Sequence, residues 1–183
     1  MNISIFFSIF EVNKDIMIVN TSLQDIDEVF SLYKMASDFK KTVSGIQWPE
    51  FDRKMIETEI NEKLHWKIVV DGQVACVWSI SFEDFQVWEE KNTDPSIYIH
   101  RIATNHNFRG QKFVEQIVTW AKQFAKENNK LYVRMDTTAG NQRLNDYYMQ
   151  CGFSCLGAKK MTNTEGLPDH YHNATMVLFQ MEV

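Results

Sequence analysis

The sequence holds only 3 cysteines, 3 prolines and 7 glycines in 183 residues, and each scarcity excludes a class of protein. Cys76, Cys151 and Cys155 are odd in number and too sparse for a disulfide scaffold; they fit small buried hydrophobes in a reducing cytoplasm. So little proline and glycine excludes collagen-like and low-complexity chains. No run reaches the roughly 20 consecutive apolar residues that a membrane-spanning helix needs. Basic charge is also short: 19 Lys and Arg stand against 24 Asp and Glu, a formal net charge of −5. Such a chain lacks the positive field of non-specific nucleic-acid binding.

What the chain does have is apolar and aromatic content, 44% and 13%, with 23% charged residues. That is the composition of one globular domain, and at this length a fold buries roughly 70% of the extended chain's surface. Ile3–Phe10 (ISIFFSIF) is almost wholly apolar, yet nothing basic precedes it and Glu11, Lys14 and Asp15 follow, unlike an export signal. Residues 1–16 are therefore expected to be an extension, an extra strand or a start upstream of Met17, and residues 17–183 a single domain.

Periodicity orders the elements. Ile16–Asn20 reads as a strand, and Ser22 caps a helix with Asp25 in its first turn and Leu23, Ile26, Phe30 and Tyr33 on one apolar face. A loop with Gly45, Trp48 and Pro49 leads to a second helix with Ile56, Ile60 and Leu64 in register. Asp71-Gly72 joins two apolar runs, 66–70 and 74–82, as a hairpin. Ile97–Ala103 is the next strand, 109–127 a helix, Leu131–Asp136 a strand, Asn141–Gln150 a helix, and Phe153–Lys160 and Ala174–Met181 two closing strands. This alternation implies a mixed α/β sheet.

Two segments carry chemistry. In Ile97–Val118 (IYIHRIATNHNFRGQKFVEQIV) a strand and a short turn place Arg109 and Gly110 at a helix start, where free N–H groups and the dipole attract phosphate. Taken alone, Arg109 and Lys112 equally suit a helix start with two solvated cations. In the second segment Asn141, Leu144, Tyr147, Tyr148, Gly152 and Phe153 form N-x-x-L-x-x-Y-Y-x-x-x-G-F. There Asn141 caps a helix and Gly152 ends it.

Together, in this order and separation, the two segments resemble the Gcn5-related N-acetyltransferase (GNAT) superfamily over nearly the whole chain. In that family the first turn, R-x-x-G-x-G/A, holds the pyrophosphate of acetyl-coenzyme A, and the second helix, commonly N-x-x-A-x-x-L-Y-x-x-x-G-F, holds the pantetheine. Lys112 and Val114 stand where the family favours glycine and glycine or alanine.

The resemblance implies a GNAT-like acyl-CoA N-acyltransferase fold, a mixed and mostly antiparallel sheet flanked by helices. It implies transfer of an acetyl group from acetyl-CoA to a primary amine, on a small molecule or a peptide, within a ternary complex and without a metal. The cofactor-binding set it implies is Ile102, Ala103, Thr104, Arg109, Gly110, Gln111, Lys112, Phe113, Val114, Asn141 and Tyr148. Tyr148 falls where many members place the thiol's acid, and His100 where some arylalkylamine acetyltransferases place a histidine used in proton removal. Glu83 and Asp84 are the runner-up bases. Trp48 lies in the segment that covers the acceptor site, and Glu89, Glu90 and Asp94 point weakly to a cationic amine. His170 and His172 lack further Cys or His at ligand spacing, so no metal is expected. No nucleic-acid or membrane partner is expected; a homodimer is compatible, and the expected location is cytoplasmic. The alternative is a non-catalytic GNAT-fold module that binds CoA or senses a ligand, which the replaced glycines favour.

Overall fold

The computed structural model describes residues 15–45, 47–162, 164 and 171–183. Its elements are β1 (Ile16–Asn20), α1 (Ile26–Ser44), α2 (Arg53–Asn61), β2 (His65–Val70), β3 (Gln73–Ser81), α3 (Phe85–Trp88), β4 (Ser96–Thr104), α4 (Phe113–Glu127), β5 (Tyr132–Thr138), α5 (Gln142–Gln150), β6 (Ser154–Lys160) and β7 (Thr175–Glu182). The strands form one seven-stranded sheet in the order β1-β2-β3-β4-β5-β7-β6. Every neighbouring pair is antiparallel except β4 with β5.

The local signals act as their chemistry requires. Ser22 donates its backbone N–H and its hydroxyl to Asp25 Oδ2, each at 2.8 Å. The cap opens a 3₁₀ turn over Leu23–Asp25, and α1 starts only at Ile26. Leu23 accordingly stays exposed, whereas Ile26 and Tyr33 are buried. Asp71 and Gly72 both take positive φ, 50° and 79°, the backbone of a tight hairpin whose twist matches the flanking strands. α2 ends at Asn61, leaving Leu64 in the turn that enters β2. Residues 1–14 lie outside the described residues. The sheet itself begins at Ile16, paired with Val70, one residue before the expected domain boundary.

Helices cover both faces of the sheet. On one face Ile26, Val29, Leu32 and Tyr33 of α1 and Ile56 and Ile60 of α2 meet Val77 and Ala103. On the other, Phe113, Ile117, Ala121 and Ala125 of α4 and Tyr148 of α5 meet Trp78, Val133 and Phe179. β3, buried along nearly its whole length, packs against helices on both faces.

A short segment that periodicity does not show, α3 and the 3₁₀ turn Glu89–Thr93, folds over the end of β5. Arg134 of β5 pins it. Its buried guanidinium donates to Asp94 Oδ2 at 2.5 Å, to Gln180 Oε1 at 2.9 Å and to the carbonyl of Lys91, and lies over the ring of Trp88 at 4.7 Å. A buried guanidinium needs such partners because its desolvation is costly.

Candidate functional site

β4 and β5 run in parallel register from Ser96↔Tyr132 to Ile99↔Met135, and the pairing stops there. Both strands continue, to Thr104 and Thr138, so a fork opens in the middle of the sheet. The cause lies on β4. Its pairing with β3 steps from Val77↔Ala103 to Ser79↔His100, which gives β4 one extra residue, a bulge that turns it away from β5. Arg101 sits in the bulge with φ of 52°, a conformation that costs an L-residue about 1–2 kcal/mol. Its guanidinium is held by the Glu59 carboxylate, by Ser79 Oγ at 2.6 Å and over the ring of Phe51 at 5.4 Å.

The fork leads into a cleft of about 1200 Å³. Its wall gathers most of the residues singled out by the sequence. From β4 come His100, Ile102 and Thr104, and from the turn before α4 come Arg109, Gly110, Gln111 and Lys112. Phe113 and Val114 of α4, Asn141, Tyr148 of α5, Glu83, Asp84 and Trp48 also line it. Ala103 is not among them: alternation along β4 turns its side chain into the α1 core, where it is fully buried.

The turn keeps the shape that glycine would supply. Lys112 adopts the left-handed conformation at φ of 55° as the residue before α4, and its ammonium lies 3.1 Å from Glu115 Oε1, largely in solvent. Asn141 does cap α5, accepting the Leu144 N–H at 3.1 Å. Gly152 follows the helix with φ of 101°, a backbone that L side chains rarely adopt, and a Cβ there would press on Met181 Cε at 3.3 Å. These two residues set α5 against the cleft with Tyr148 turned inward. The Tyr148 ring packs edge-on against Phe179 at 5.4 Å. Burial, with Asp136 nearby, raises its pKa above the ordinary tyrosine range, so the hydroxyl stays protonated.

At the base of the fork a ring nitrogen of His100 and carboxylate oxygens of Asp84 and Asp136 lie within 4.8 Å of one another, a donor set that suits a cation. His100 Nε2 meets Ser81 Oγ at 2.9 Å. Ser81 gives its single proton to the carbonyl of Glu83 at 2.8 Å, so its oxygen accepts from Nε2–H of His100. Burial, reinforced by Arg101, pushes the His100 pKa down to about 3. Burial lifts Asp84 up to about 6 and, together with the charge of Asp84, lifts Asp136 up to about 7. The environment thus opposes His100 as the residue that takes a proton.

Asp136 and Arg101 are residues that motif reading missed. Both follow from strand geometry, Asp136 as the residue after the last parallel pair and Arg101 as the bulge. Glu89 and Asp94 serve as structural partners instead of acceptor contacts, Glu89 to Lys159 at 2.9 Å and Asp94 to Arg134. Neither these two nor Glu90 lines the cleft. His172 is exposed and away from the cleft wall; His170 lies outside the described residues. No helix among the described residues is long and apolar enough to cross a membrane.

Comparison with known proteins agrees with this architecture. The chain is 29% identical over 75 residues to YesJ, an uncharacterised N-acetyltransferase of Bacillus subtilis (strain 168). That stretch spans 41% of this chain and 42% of that protein's own length. An acetyltransferase of the GNAT family from Listeria monocytogenes 4b F2365 superposes with a TM-score of 0.74 at 22% identity, over 93% of this chain and all of that one. The polyamine N-acetyltransferase of Drosophila melanogaster superposes with a TM-score of 0.67 at 9% identity, over 92% of this chain and all of that one. At these identities the two likenesses show a shared fold. Residues 29–153 match the acetyltransferase (GNAT) family, more than half of the chain, and the forked sheet has the same architecture as its structural neighbours: this chain belongs to the GNAT family of acetyltransferases.

Proposed function

We propose that the chain transfers an acetyl group from acetyl-CoA to a primary amine by direct attack in a ternary complex. The observation that carries this reading is the fork between β4 and β5, because it brings the Arg109 turn and the Tyr148 helix to one cleft. The donor set fits the pyrophosphate: Arg109, Lys112 and the open N–H groups of α4 offer positive charge and hydrogen bonds at one helix start. The backbone of β4 from Ile102 to Thr104, with Asn141 and α5 facing it, forms the channel for the pantetheine. Bound there, acetyl-CoA supplies the activated thioester carbonyl. Tyr148, which lines the cleft with its hydroxyl protonated, then serves as the acid toward the departing thiolate. The three cysteines are free, as cytoplasmic thiols are, and the cytoplasm is the proposed setting.

A second reading, a module that binds CoA without turnover, is favoured by Lys112 and Val114, whose side chains limit close approach of a phosphate. One experiment separates the two. Acetyl-CoA is titrated calorimetrically, and thiol release is then followed across a panel of primary amines. Binding with amine-dependent thiol release is the expected result. Binding without release for any amine selects the second reading, and absence of binding overturns both.

A further inference from the structure

We propose that Asp136, with Asp84 beside it, receives the ammonium of the acceptor and that Asp136 takes its proton. This rests on the acetyl-transfer reading above and names the base and the acceptor's charge for that same site.

His100 and Asp136 are the first residues of β4 and β5 beyond the last parallel pair, so they stand on either side of the fork where the strands part. Asp84 reaches the same point from the loop after β3, fixed there by the α3 segment that Arg134 holds and by its own N–H, which donates to Asn92 Oδ1 at 2.6 Å. Asp84 Oδ2 is shielded from water and has no hydrogen-bond partner. The Asp136 carboxylate lines the cleft beside it. Two carboxylates therefore converge on the cleft, and Asp84 brings an oxygen without a donor. A primary ammonium supplies what is missing. It carries three donors, and two tetrahedral hydrogen bonds of about 2.8 Å place their acceptors about 4.6 Å apart. Asp84 and Asp136 offer oxygens within 4.8 Å.

Charged and titratable groups face the pair from several elements. Lys40 from α1 and Lys159 from β6 are the cations that favour the two carboxylates, and Arg101 of β4 is committed to Glu59. Tyr148 of α5 and Tyr171 before β7 face the pair as neutral phenols. Asp136 stands on β5 at the fork itself, and burial with the charge of Asp84 raises its pKa toward the range where a general base is effective. His100, its Nε2–H given to Ser81, is a neutral neighbour that fixes the geometry. Two carboxylates also repel an acceptor with a carboxylate next to its amine. The substrate class is thus an amine at the end of an alkyl or arylalkyl chain, or a lysine side chain, and not an α-amino acid.

R–NH₃⁺ gives one proton to Asp136, leaving R–NH₂ and a neutral carboxylic acid. The amine lone pair forms the C–N bond at the thioester carbonyl, and the C–S bond breaks. The thiolate takes the Tyr148 proton, and Tyr148 recovers one from the acylated nitrogen. Asp136 returns its own proton to water, so the sum is amide, thiol and H⁺.

The test uses n-butylammonium, a probe with no polar group but its ammonium, titrated calorimetrically into the protein with and without CoA at pH 5.5 and 7.5. Wild type is expected to bind more tightly at pH 7.5. Asp136→Asn and Asp84→Asn are each expected to lose tenfold or more, with unchanged CoA affinity and an intact melting transition. In turnover with butylamine, Asp136→Asn is expected to lower kcat/KM by about 10²–10⁴-fold and to make the pH profile rise with free amine alone. Absence of butylammonium binding to wild type overturns the proposal, as do Asn variants that bind and turn over like wild type. Failure of the acetyl-transfer reading would show separately, as absent acetyl-CoA binding or absent thiol release.

Discussion

The guanidinium of Arg109 lies over the ring of Phe39, its central carbon 4.0 Å from the ring centroid. The contact ties the turn before α4 to α1, and in the proposed function that arginine meets the pyrophosphate. Removing a charge-assisted hydrogen bond costs about 1.5–3 kcal/mol, so Arg109→Ala is expected to weaken acetyl-CoA binding by roughly 10–100-fold. Phe39→Leu, which only loosens the stack, is expected to weaken it a few-fold, since exposed cation–π contacts contribute about 0.5–1 kcal/mol. Calorimetry on both variants checks this; equal affinities for all three proteins would remove Arg109 from the site.

Tyr148→Phe keeps the ring that packs on Phe179 and deletes only the hydroxyl. Acetyl-CoA affinity and melting temperature should barely move, while kcat falls by about 10²-fold or more, the scale of one lost acid. An unchanged kcat on a verified acceptor would make Tyr148 a packing residue.

Lys112 holds a left-handed backbone with its ammonium toward Glu115. Lys112→Gly should relieve about 1 kcal/mol of that strain, a gain of about 2–4 °C in melting temperature at this chain length. Lys112→Ala keeps the strain and should melt near wild type. For CoA the ammonium, if it meets phosphate, contributes on the order of 0.2–1 kcal/mol, so Lys112→Ala binds a few-fold less tightly at low salt and converges with wild type at high salt. The glycine variant should bind at least as well as the alanine one. Identical affinity of Lys112→Ala and wild type across the salt series would show a lysine that serves only solvent and Glu115.

The Asp136 environment has a signature in stability. A carboxyl group with its folded pKa raised to about 7 binds its proton more tightly folded than unfolded. Its contribution is fully present below the ordinary carboxylate pKa and is lost as pH rises through about 7. The neutral imidazoles of His65 and His100, both pushed down to about 3 chiefly by burial, act in the opposite sense below their ordinary value. Comparing variant with wild type isolates the aspartate. The melting temperature of Asp136→Asn relative to wild type should climb between pH 4 and 7 and then level off. A flat difference across that range would mean that Asp136 titrates as an exposed carboxylate.

Much of the fold is local and therefore legible in one dimension. Ser22 with Asp25, Asp71 with Gly72, Asn141 with Leu144 and Gly152 each form a turn or cap from residues a few positions apart. The alternation of helical and strand periods sets their order. The two motif segments are legible for the same reason, since each is a single turn and helix. Leu23 shows the limit: its spacing suits the apolar face, but the 3₁₀ start of α1 turns it to solvent.

The sequence alone thus determined the caps, the hairpin and the family pattern, because those interactions close within a few residues. Only the tertiary structure decided the fork, since the β4 bulge at Arg101 is defined by register against β3 and is stabilised by Glu59, 42 positions away. Only it decided that Asp84, His100 and Asp136 meet, because three strands and the Arg134 anchor must be in place before they share one point. The resulting change in their acidity has no trace in the chain itself: it arises from burial and from charges that are neighbours in space alone.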